Sequence, residues 1–133
     1  MSNLLQSFYD FAIHDPELST LLGTRVFRDK ATSTTITPFL VYGTEKSAYP
    51  LGVFSNEHGV RKTNLSIDIV GDSVAQDALD DLRNLLVTKL GGFQGALTTD
   101  WQGGIEINQA SDFYDADTER SVRRLELMCT EVY

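Results

Sequence analysis

The sequence predicts an α+β fold: a mostly antiparallel sheet with one long helix, over residues 73–90, packed on a face, plus an N-terminal helix. Three observations predict it. Two stretches space their apolar residues for a helix, several others alternate apolar and polar side chains, and their order lacks the regular strand-helix repeat of a parallel fold. The 133 residues, 41% of them apolar, can bury a core without staples, and residues 1–133 read as one domain.

At about 100° per residue, Leu5, Phe8, Tyr9, Phe11, Ala12 and Ile13 share an arc with Leu4, while Gln6, Ser7 and Asp10 fall mostly outside it. Asp15-Pro16 supplies the cap and first position of a second, short helix through Leu18, Leu21 and Leu22, which Gly23 closes. Residues 25–28 and 37–46 read as strands, the latter with Pro38 near its start. Residues 61–70 alternate, with Leu65, Ile67 and Ile69 on one face and Asn64, Ser66 and Asp68 on the other. Ser73 and Gln76 form a capping box ahead of the long helix. Its Val74, Ala75, Ala78, Leu79, Leu82, Leu85, Leu86 and Leu90 occupy one arc. Asp77, Asp80 and Asp81 sit opposite, towards the positive end of the helix dipole, and Gly91-Gly92 ends the helix. A glycine-rich passage carrying Phe93 and Trp101 leads to a strand at Ile105-Glu106-Ile107-Asn108. An acidic turn over residues 112–119 then joins it, as a hairpin, to a last strand running from Val122 through Leu125, Leu127 and Cys129.

The formal net charge of −8 opposes non-specific attraction to nucleic acid and to anionic lipid. A single cysteine, Cys129, excludes an internal disulfide, a zinc ribbon and a CxxC pair; its alternating strand makes it a small core residue. Apolar runs are far shorter than the roughly 20 residues of a membrane helix, and the first residues lack a secretory signal, so the chain reads as soluble and made inside the cell. Asp115, Asp117 and Glu119 have the spacing that opens an EF-hand loop, but Arg120 stands where that loop needs glycine, and strands flank it. His14 and His58 are far apart and make no metal-binding pair. No serine lies in a nucleophile elbow, and neither Gly91-Gly92 nor Gly103-Gly104 belongs to a phosphate-binding loop, each pair suiting a helix terminus or a hairpin turn instead. The sequence therefore predicts no enzyme, and no catalytic, metal or cofactor site. Arg120, Arg123 and Arg124, next to the acidic turn, suit local ion pairing better than nucleic-acid binding. Apolar groups in two long connections, Tyr49, Leu51, Val53 and Phe54 in one and Phe93 to Trp101 in the other, suit protein contacts; equally, Phe54 and Trp101 can plug the edge of the core.

Five pieces in order carry a family resemblance. They are the N-terminal helix with Leu21-Leu22-Gly23-Thr24-Arg25-Val26-Phe27, the strand Thr37-Pro38-Phe39-Leu40-Val41-Tyr42, the strand Leu65-Ser66-Ile67-Asp68-Ile69, the long helix, and Asp112-Phe113-Tyr114-Asp115-Ala116-Asp117-Thr118-Glu119 with its Arg-rich strand. With them the chain resembles the tail-completion, or tail-terminator, proteins of long-tailed bacteriophages. The resemblance implies a non-enzymatic virion subunit, made in the host cytoplasm, that forms a ring, most often a hexamer, on the head-proximal end of the tail tube. Its implied partners are further copies of itself, the tail tube protein and a head-neck connector protein. DNA would pass through without specific binding. On this reading Tyr49, Leu51, Val53, Phe54 and Trp101 are expected at subunit or tube contacts, and Asp77, Asp80 and Asp81 are candidates for a lumen that repels phosphate. Two alternatives stand beside it: another head-tail connector component, a stopper or adaptor, and a small enzyme with a carboxylate site around Asp112, Asp115 and Asp117.

Overall fold

The computed structural model describes residues 4–31, 35–44, 60–72, 74, 76–98 and 101–132. Their elements are α1 (Leu4–His14), α2 (Pro16–Leu22), β1 (Val26–Arg28), β2 (Phe39–Thr44), β3 (Val60–Asp72), α3 (Gln76–Leu90), β4 (Phe93–Thr98), β5 (Trp101–Asp115) and β6 (Arg120–Val132). The strands form a six-stranded sheet in the order β1-β2-β3-β6-β5-β4. Neighbours are antiparallel except β1 and β2, which run parallel.

Alternation in β3 and β6 sets the register. Leu65 stands opposite Leu127 and Ile67 opposite Leu125, so these side chains share the face that the helices cover. Leu40 and Tyr42 of β2 and Ile105 of β5 join them in the buried cluster. Against that face α3 presents Leu79, Leu82, Leu86 and Leu90, all buried, each contributing about 2 kcal/mol of burial free energy. Gly71 of β3 lies directly beneath Leu79, where a Cβ would come within 2.6 Å of Leu79 Cδ2.

Helix α1 seats Phe8 against Tyr42, with ring centroids 5.1 Å apart, and it touches β1, β2 and β4. Because β1 and β4 are opposite margins of the sheet, the sheet curls around the helical layer. Ser7, which the helical arc leaves outside, is fully buried and accepts a 2.8 Å hydrogen bond from Thr98 Oγ1 of β4. Asp15 caps α2 as expected, its Oδ2 accepting from the Leu18 N–H at 3.1 Å, and Gly23 closes it at φ +60°. Hydrogen bonds to Glu17 and then Asp15 hold the Lys89 ammonium of α3 above its ordinary pKa, which ties α2 to the end of α3.

Three expectations are corrected. Val74 is 91% exposed and precedes α3, and Ala78 is also exposed, so among the described residues the buried stripe begins at Leu79; Ala75, and Ser73 of the expected capping box, lie outside them. The passage after Gly92 is a strand, β4, hairpinned to β5; Gly95 at φ +130° and an irregularity between Ala96 and Thr98 break the period that would announce it. Strand β5 spans Trp101–Asp115 instead of four residues. A bulge between Ile107 and Gln109 moves the helix-side positions from the odd 105 and 107 to Ala110, Asp112 and Tyr114, which are exposed, and alternation is lost to the eye.

Candidate assembly surfaces

At the N-terminal end of α3 the chain builds a closed ring of alternating charges. Asp80 meets Arg83 at 3.2 Å and Arg123 at 2.9 Å, while Asp112 meets Arg83 at 2.9 Å and Arg123 at 3.6 Å. Gln76 adds two contacts, donating to Ser121 Oγ at 2.8 Å and accepting from Arg123 Nη2. Beyond the bulge, this network takes the place of the apolar layer that attaches the rest of the sheet. The arginine cluster thus forms ion pairs, though with distant elements more than with the turn beside it: Arg124 grips Asp68 of β3 with both arms, at 2.7 and 3.0 Å.

The β5–β6 hairpin carries this polar framework to an exposed tip. Phe113 and Tyr114 are 41% and 54% exposed, among the few large apolar side chains of the described residues left in solvent. Arg124 lies over the Phe113 ring at 4.9 Å. Asp115 accepts the Asp117 N–H at 3.0 Å, and Glu119 takes a left-handed conformation at φ +56° to close the turn.

Among the depressions that the described residues line, two larger ones lie on the sheet face turned away from the helices. One, of about 400 Å³, is floored by Phe39, Val41, Val70 and Val122, and Arg120 stands 5.4 Å over the Phe39 ring. The other, of about 800 Å³, lies at the far end of β5 and is floored by Gly95, Gly103 and Gly104, with Lys62, Glu106 and Met128 on its rim.

Of the residues expected at contacts, Tyr49, Leu51, Val53 and Phe54 lie outside the described residues. Trp101 is only 2% exposed and belongs to the core cluster; its indole plugs the core, because β4 folds the passage back against β5. Asp77 and Asp81 are exposed on α3, whereas Asp80 is engaged by two arginines. Asp112, Asp115 and Asp117 do not converge as a carboxylate site: the first pairs with arginines and the second bonds the turn backbone. No group of three or more metal-binding side chains converges among the described residues. Burial pushes the Cys129 thiol up to about 12, as befits a core residue. The sequence assigns no role to Arg83, and Gly103-Gly104, expected at a helix terminus or hairpin turn, and Tyr114, expected in the acidic turn, lie within β5. The one signal available was charge at helical spacing, Asp80 and Arg83, on the solvent side of a secure helix.

A chain in the solved structure "Virion of native gene transfer agent (GTA) particle" is similar with a TM-score of 0.74 at 17% identity, over 97% of this chain and 95% of that one. No curated protein matches the sequence significantly. The family model of tail completion protein gp17 matches residues 8–130, and the chain belongs to that family of structural tail proteins.

Proposed function

We propose that copies of this chain close into a ring, a hexamer, at the head-proximal end of a tail tube, where they stop tube polymerisation and join tail to head. The family match over residues 8–130 carries the reading. A ring of identical subunits requires two different, mutually fitting surfaces on each copy. The chain has such unlike surfaces to offer, in an exposed hairpin tip and an open sheet face. Tyr49, Leu51, Val53 and Phe54, an apolar run between turn formers, are assigned to contacts with the tube protein or a neighbouring copy. The exposed Asp77 and Asp81 are assigned to the lumen, where carboxylates keep passing DNA from adhering.

The test is electron microscopy of lysates from cells making particles without this chain. DNA-filled heads beside detached tails of irregular length are expected. Heads that leak their DNA beside tails of normal length would instead assign the chain to a stopper, and normal virions would overturn the reading.

A further inference from the structure

Gly104 sits inside β5, between β4 and β6, where glycine weakens a strand. Nothing among the described residues requires it. Its φ is not in the left-handed region, and among the described residues an added Cβ would meet Phe93 O alone, at an ordinary 3.8 Å. Gly103 beside it is explained internally, since a Cβ there would strike Thr130 O at 2.1 Å. A strand glycine without an internal reason marks a place where something from outside approaches the backbone closely. Gly104 floors the 800 Å³ hollow, and the same strand ends, on the order of 35 Å away at strand rise, in the exposed Tyr114. One copy cannot bring the two together; two copies can.

We propose that the β5–β6 tip of one copy docks in the glycine-floored hollow of the next, with Tyr114 as the plug. Charge supports this occupant. The tip brings Asp115, Asp117 and Glu119, and the rim of the hollow offers the exposed Lys62 ammonium. Glu106, the other charge among the lining residues, opposes the tip and gives the contact a sign that can be read. Met128 supplies a polarisable wall for an aromatic ring. Tip and hollow are different surfaces, so the contact is head-to-tail, as ring closure demands. The inference rests on the ring reading only for closure; contact between copies is testable apart from any role in tails.

The experiment places a photo-crosslinking amino acid at position 114 and maps its products in the purified chain and in assembled particles. Crosslinks to residues 92–106 or 128–130 of a second copy are expected. Crosslinks only to another protein or to another part of the chain, or none between copies in either sample, overturn the proposal. Sedimentation of variants gives a second readout. Tyr114→Ala and Lys62→Glu should each raise the concentration for half-association roughly tenfold, and Glu106→Gln should lower it. Gly104→Val should raise the melting temperature while weakening association, a pair of opposite signs that a purely structural glycine cannot give; unchanged association in that variant also overturns the proposal. If position 114 crosslinks as expected while tails terminate normally without the chain, only the terminator role fails.

Discussion

Arg123 of β6 donates from Nε to Asp80 of α3 across 2.9 Å, and this contact is the corner of the charge ring that fixes the hairpin to the helix. The Arg123 side chain is 9% exposed against 40% for Asp80, so the arginine bears most of the desolvation. Arg123→Met is expected to cost about 2 kcal/mol, below the usual loss for a fully buried pair because water reaches Asp80. Arg83→Met, on the outer side of the ring, should cost less than about 1 kcal/mol. Urea unfolding of both single variants and the double variant checks this, and a non-additive double is expected because the arginines share both aspartates.

Gly71→Ala is expected to destabilise by about 2 kcal/mol. Its Cβ would lie 2.6 Å from Leu79 Cδ2 and 3.0 Å from its Cγ, and Leu79 is fully buried, so the core must shift to admit it. In Gly71→Ala combined with Leu79→Val, the loss should be smaller than the sum of the single losses, as measured by thermal or urea unfolding.

Cys129 makes stability fall in alkali. Its thiol is held at about 12 in the folded chain by burial, with Glu131 adding to the effect, against 9.0 for the free group. The folded chain therefore keeps a proton that the unfolded chain releases. That contribution is complete well below pH 9 and is lost as the pH rises towards 12, the loss reaching roughly 1 kcal/mol by pH 10. The stability gap between wild type and Cys129→Ala should narrow by that amount between pH 8 and pH 10, and thiol reagents should react with the native chain only slowly.

Asp77→Lys combined with Asp81→Lys should cost folding no more than about 1 kcal/mol, since both side chains are exposed and the loss is the favourable charge of Asp77 in the first turn of α3. If these residues line the lumen, particle counts stay normal while the fraction of particles delivering DNA falls. Equal delivery per particle would remove them from the lumen.

The fold was legible wherever one period ran unbroken. Leu65, Ile67 and Ile69 announce β3, and Leu79, Leu82, Leu86 and Leu90 announce α3, because a half-buried element repeats one face. Legibility failed where geometry interrupts the repeat, at Gly95 in β4 and at the bulge after Ile107 in β5. It failed again where burial is polar: Ser7 and Arg123 are buried through partners 91 and 43 residues away, which no local pattern encodes. Trp101 reads equally as a contact residue or a core plug in the sequence, because the strand that folds against its own, β4, carries no clear period.

The hydrogen bond from Thr98 to Ser7 has a consequence for biosynthesis. A translating ribosome adds about 5–20 residues per second, so several seconds pass between the making of α1 and the making of the strand that receives it. Eleven residues are too few to hold a helix alone in water. Until β4 emerges, α1 has Tyr42 of β2 to rest on but not the strand that closes over its far side, and that interval is when a holding chaperone has something to grip.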